Sequence, residues 1–184
     1  MKILRLLIMS SHQIVFPKPI PQLELQSLRN ENGFTLTEIA GLHNGWRLIK
    51  RRFSYHSKRI FKGFFLENES LLERFRDQKG KLNLSRLHEH PQLLLATYGN
   101  IIENGLDNPC YVNEVMTAIS QSHQLYGVEN EEIKLYVDYI SSYILQYLEK
   151  VISPTFVSAL QKLNDIILSY HHTRHDVSNE EVLI

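Results

Sequence analysis

Cysteine is nearly missing from this chain: of its 184 residues only Cys110, in "DNPCYV", is one. A lone thiol excludes an internal disulfide and a cysteine-based zinc cluster, and it favours a reducing, cytoplasmic compartment. An excess of either charge is missing too, since Lys plus Arg and Asp plus Glu stand at 20 each. With no global field to attract a polyanion, nucleic acid is not expected as a partner. Long apolar runs are absent as well, none approaching the roughly 20 residues of a transmembrane segment. The opening "MKILRLLIMSSHQIVF" starts as secretory signals do, but Arg5 interrupts it and no small-x-small site follows before "PKPIPQ", so cleavage is not expected.

Hydrophobic residues are plentiful at 43%, enough for one packed domain. Pro17, Pro19 and Pro21 hold the chain extended, so residues 1–33 read as a flexible N-terminal extension. The folded domain is expected over residues 34–172. Residues 173–184 read as a polar C-terminal tail, because periodicity fades after Tyr170.

Between those limits the pattern is helical throughout. Thr35 and Glu38 form a capping-box signature, followed by Ile39, Leu42, Trp46 and Ile49 on one stripe. After a break near Phe53 to His56, Ile60, Phe61, Phe64 and Phe65 predict a second helix, and "SLLERF" a short third turn ending at Phe75. The polar "RDQKGKLN" is a loop. Beyond it Leu87, His90, Leu94, Tyr98, Ile101 and Ile102 step by threes and fours until Gly105 and Pro109 mark a stop. The next helix carries Val112, Val115, Met116, Ile119 and His123 on its apolar face. Asn130 is placed to cap the helix bearing Ile133, Val137, Ile140, Ile144 and Leu148. Ser153 and Pro154 open the last one, with Phe156, Leu160, Leu163, Ile167 and Tyr170 on its buried side. No alternation long enough for a sheet is present, and the expected class is all-α.

Two histidines, His90 and His123, thus lie on apolar stripes of separate helices. A single inward imidazole is ordinarily satisfied by a backbone carbonyl or water. A pair on facing helices suggests a transition metal or an iron porphyrin between them. Structural zinc is poorly served without cysteines, and His88 with His90 in "HEHP" point in different directions on a helix. A porphyrin needs one strong ligand and an apolar aromatic slot, which Phe61, Phe65 and Phe75 can help to form. By themselves Phe61, Phe64, Phe65 and Phe75 read as plain core rather than as a cofactor slot. The basic "RLIKRRF" and "SKRIF" read as a solvated face. Tyr136, Tyr139, Tyr143 and Tyr147 read as helix packing, with self-association the lesser alternative, and His171, His172 and His175 are given no role.

Taken in order, these landmarks resemble the globins over about residues 35–172. Trp46 is similar to the tryptophan late in the first globin helix, and Phe75 to the phenylalanine that stacks on haem. His90 in "HPQLLLATYGNII" resembles the distal histidine and His123 in "ISQSHQLYGV" the proximal one. Leu94 follows the distal position by one turn, Ile119 and Val128 flank the proximal one, and Phe61 overhangs the distal side. Two positions depart from the pattern. Glu69 stands where a proline usually opens the short third helix. Pro91 replaces a small residue at a helix crossing and is expected to delay or kink its helix at His90.

The resemblance implies a globin fold, a three-on-three sandwich of about seven to eight helices around haem b. His123 would bind iron, its other ring nitrogen bonding a backbone group such as that of Ile119 or Ser120. His90 would stabilise bound dioxygen, while Phe61, Phe75 and Leu94 keep the pocket dry and Ile119 and Val128 wall it. The implied function is reversible binding of dioxygen or another diatomic gas, for storage, transport or sensing, rather than enzymatic turnover. The alternative is a six-coordinate haem with His90 also on iron, suited to electron transfer or to nitric oxide and nitrite chemistry. A homo-oligomer or a redox partner would be compatible with either. A helical interaction module that has lost haem is a third reading, disfavoured by the two inward histidines.

Overall fold

A computed structural model describes residues 28–180. The described residues form six α-helices and one 3-10 helix, with no strand longer than an isolated bridge. The protein is all-α, as its periodicity predicts. The three prolines of the N-terminal segment and the side chains of His171, His172 and His175 lie outside the described residues.

Helix α1 spans Leu36–Lys50 and opens on the predicted capping box, in which Thr35 and Glu38 each bond the other's backbone. Just before it, Asn30 and Asn32 donate to the carbonyls of Leu106 and Gly105, and Phe34 is buried. The packed unit therefore begins several residues before the expected boundary. Gly33, at φ 77°, makes the turn that brings Phe34 inward.

Helix α2 spans Phe53–Glu67, with its preceding turn at Arg51 and Arg52 rather than over Phe53 to His56. The shift brings His56 and Ser57 into the interior. The 3-10 helix Glu69–Phe75 delivers Phe75 to the core, and the loop after it bends at Gly80.

Helix α3 spans Leu84–Asn104, capped by the Asn83 side chain. Pro91 does not delay it: the helix is already under way at Leu84 and runs through to Asn104. Pro91 is itself buried, so ring packing offsets part of the lost backbone bond. Helix α4 spans Pro109–Gln124, with Asn108 as cap and Pro109 in the first turn.

Helix α5 spans Asn130–Leu148. Its cap is Glu129, which forms a capping box with Glu132, and not Asn130; a carboxylate beside free N–H groups is favoured there by the helix dipole. Helix α6 spans Pro154–Glu180, passing beyond Tyr170, and its start is capped by Ser153 Oγ.

Helix α1 packs on α3 and α6, α2 on α3 and α5, and α4 on α3 and α6. Glycines permit the close crossings. A methyl group at Gly99 would overlap the Trp46 ring, and one at Gly45 would overlap Phe156. Trp46 is fixed from its other side, since its Nε1 donates to Glu103 Oε1 at 3.0 Å. No helix among the described residues is long and apolar enough to cross a membrane.

Candidate functional site

All seven residues expected to hold a cofactor, Phe61, Phe75, His90, Leu94, Ile119, His123 and Val128, line one cavity of about 330 Å³. That volume falls within the range of small-molecule sites. Helix α2 supplies Phe61, Phe64 and Phe65, the 3-10 helix Phe75, α3 His90 and Leu94, α4 Ile119 and His123, and α5 Tyr136 and Val137.

The stripe spacing of α3 and α4 explains the convergence. Leu95, Tyr98 and Ile102 anchor α3 to the core, and Val112 with Met116 anchors α4, so the adjoining faces carry the two imidazoles into the gap. Their ring centroids stand 6.2 Å apart with planes at 89°. Around His90 the aromatic wall is close: its centroid lies 5.2 Å from Phe75 and 6.1 Å from Phe61. Phe61, Phe65 and Phe75 also meet one another edge to face, which fixes the wall's shape.

Neither imidazole makes a hydrogen bond among the described residues. His123 Nδ1 is buried without a partner at full hydrogen-bonding geometry. The Ile119 carbonyl, expected as its acceptor, does favour the protonated ring but is already held by Ser122 Oγ at 2.9 Å. Burial lowers the His123 pKa, and the Arg86 charge acts in the same direction. His90 is held down to about 4, mainly by burial, with His123 and Arg86 adding to it. Both rings are therefore neutral at neutral pH, each with a nitrogen lone pair.

The polar rim escaped the sequence reading. Arg74 and Arg86 line the cavity, and Arg74 Nε donates to Glu132 Oε1 at 3.0 Å. Arg86 lies 3.8 Å from the Tyr126 ring centroid, bridging the start of α3 to the loop after α4. Spacing could have revealed Arg86, which sits four residues before His90 on the same helix face. Nothing local could have paired Arg74 with Glu132, because the two are 58 residues apart. Tyr136, read as helix packing with self-association the lesser alternative, also reaches the cavity, and its buried hydroxyl has no hydrogen-bond partner among the described residues.

A third inward histidine was missed altogether. His56 is 0% exposed, and its Nδ1 lies 2.8 Å from Tyr143 Oη. The expected helix break had left it in a loop. Among the described residues no three of His, Cys, Asp and Glu gather as ligands for a metal ion.

The geometry thus defines an apolar, aromatic cavity with two facing neutral imidazoles and a guanidinium-bearing rim. Comparison with known protein families finds no family profile that matches the chain, and comparison with curated proteins finds no matching relative.

Proposed function

We propose that the protein is a globin-like haem protein that reversibly binds dioxygen or another diatomic gas. The observation that carries this reading is the pair of unbonded imidazoles from α3 and α4, facing each other across a cavity walled by Phe61, Phe65 and Phe75. His123 Nδ1 is buried without a partner among the described residues, which costs free energy unless something present in the functional protein draws on that ring.

The residues suit iron protoporphyrin IX. His123 would hold the iron through the nitrogen opposite its buried Nδ1, and the aromatic wall would take the ring system. Arg74 and Arg86 would meet the two carboxylates at the rim, since guanidinium pairs well with carboxylate. When bound, the haem supplies a ferrous iron able to carry a diatomic ligand. His90 would donate a hydrogen bond to that ligand. Leu94, Phe61 and Phe75 exclude the water that promotes iron oxidation.

A second reading has its own support. The two imidazoles face each other with ring centroids 6.2 Å apart, and each keeps a nitrogen lone pair. In that reading His90 also binds iron, and the protein is a six-coordinate haem protein for electron transfer or for nitric oxide and nitrite chemistry.

Absorption spectra of the full chain reconstituted with hemin test both. A Soret band with a stable oxygenated ferrous form supports gas binding, and a six-coordinate ferrous spectrum supports the redox reading. Absence of any Soret band on the protein once unbound hemin is removed refutes the two together. His123→Ala is expected to weaken haem binding at least about 100-fold, as loss of a metal's main ligand should. His90→Ala should keep haem but release oxygen faster or change coordination.

A further inference from the structure

Between Glu38 and Glu67 the chain has no acidic residue, yet it carries seven of its 20 Lys and Arg there. Two are already engaged: Arg47 bonds Asn44, and Lys50 pairs with Glu103 at 2.6 Å. Arg51, Arg52, Lys58, Arg59 and Lys62 are exposed and form no ion pair among the described residues. They belong to α2 and the turn before it, on the side away from the cavity.

Rigid aromatic groups punctuate this basic face. Tyr55 is 41% exposed, with the Arg52 guanidinium 4.5 Å from its ring centroid and Arg59 Nη1 donating to its hydroxyl at 2.8 Å. Tyr147, 45% exposed, reaches the same place from α5. Arg and Tyr are the residue types enriched at the energetic centres of protein interfaces.

Two sets of packed rings, one turn of α5 apart, lie between this face and the cavity. Tyr136 and Phe64 line the cavity with centroids 5.0 Å apart, and Phe64 lies 5.7 Å from Tyr139. One helical turn further along α5, Tyr143 is hydrogen-bonded to His56, whose ring is 5.1 Å from Tyr55 and 4.4 Å from Tyr147.

We infer that this outer face of α2, centred on Arg52, Tyr55 and Arg59, is the docking surface for a small acidic electron-carrier protein. Glu67, Glu69 and Glu73 follow directly and end the positive region. A membrane plane or a long nucleic acid would run into those carboxylates, whereas a compact acidic patch fits the 15-residue helix of about 22 Å. Such encounters are small, transient and steered by charge. With haem bound, the reduced carrier would give up one electron and the ferric iron would accept it, leaving the protein's own rings unchanged. The electron-accepting end rests on the haem reading; the docking face does not.

The test titrates the full chain, without added haem, with oxidised plant-type [2Fe–2S] ferredoxin as the acidic probe, followed by NMR. Saturable shifts along α2 are expected, with affinity falling at least about tenfold between ~20 and ~300 mM salt. Arg52→Glu with Arg59→Glu should lower affinity at least tenfold, and Arg52→Gln with Arg59→Gln should lower it less. Lys79→Glu with Lys81→Glu, the same charge change on a distant loop, should leave it unchanged. Equal loss in both reversed pairs, no binding, or binding to duplex DNA or anionic vesicles in place of ferredoxin would overturn the inference. On haem-loaded chain, reduction by reduced ferredoxin should slow with the Arg52 and Arg59 reversals. If the chain takes up no haem, the proposed function fails while the NMR titration still decides the docking face.

Discussion

At the scale of single residues, the positions that matter most are those where one atom more or less is felt. Gly99 is such a place, because the Trp46 ring occupies the space its side chain would need. That ring is anchored to Glu103 and cannot swing away cheaply. Gly99→Ala is expected to destabilise the fold by about 1–3 kcal/mol, the usual cost of overpacking. A urea midpoint equal to that of the parent chain would mean that α1 and α3 do not approach this closely. His90 and His123 were legible because each takes an apolar slot in a three-and-four spacing. His56 was not, since its neighbours Tyr55 and Arg59 mask the pattern and its partner Tyr143 is 87 residues away.

Elements were legible to differing degrees. The starts of α1, α3, α4 and α6 each follow from a local oxygen-bearing side chain, Thr35, Asn83, Asn108 or Ser153, accepting a backbone N–H. Thr35→Ala should cost about 1–2 kcal/mol, because it opens a capping box whose Thr35 and Glu38 are both buried. Thermal denaturation checks this, and an unchanged melting temperature would show that the cap is replaced by water. Helix α5 departs from its expected start because the Glu132 side chain accepts the Glu129 backbone N–H, a use of Glu that propensity alone does not suggest. Helix α3 runs through Pro91 although that residue cannot donate to the Leu87 carbonyl, and burial of the ring offsets part of this loss.

For the whole molecule, three partly or fully buried histidines give stability a definite pH dependence. Burial lowers the pKa of His56, His90 and His123 below the usual 6.5. As pH falls below about 6.5 the unfolded chain takes up protons that the folded chain refuses, so stability is lost on the acid side. For His90 the loss continues down to about pH 4, each unit of separation being worth about 1.4 kcal/mol. Urea midpoints of the chain without added haem should therefore fall markedly from pH 7.5 to pH 5. An equal midpoint at both would show that the three rings are hydrated in the folded state.

Helical periodicity, capping signals and glycine or proline stops act within a turn or two. The sequence by itself therefore determined the all-α class, most helix starts and the inward direction of His90 and His123. The distance between those imidazoles, the lack of a partner at His123 Nδ1, the Arg74–Glu132 pairing at the rim and the linkage of His56 to Tyr143 were decided only by the tertiary structure. Each depends on how helices distant along the chain cross, and that is set by side-chain volumes such as the missing one at Gly99, which no local pattern encodes.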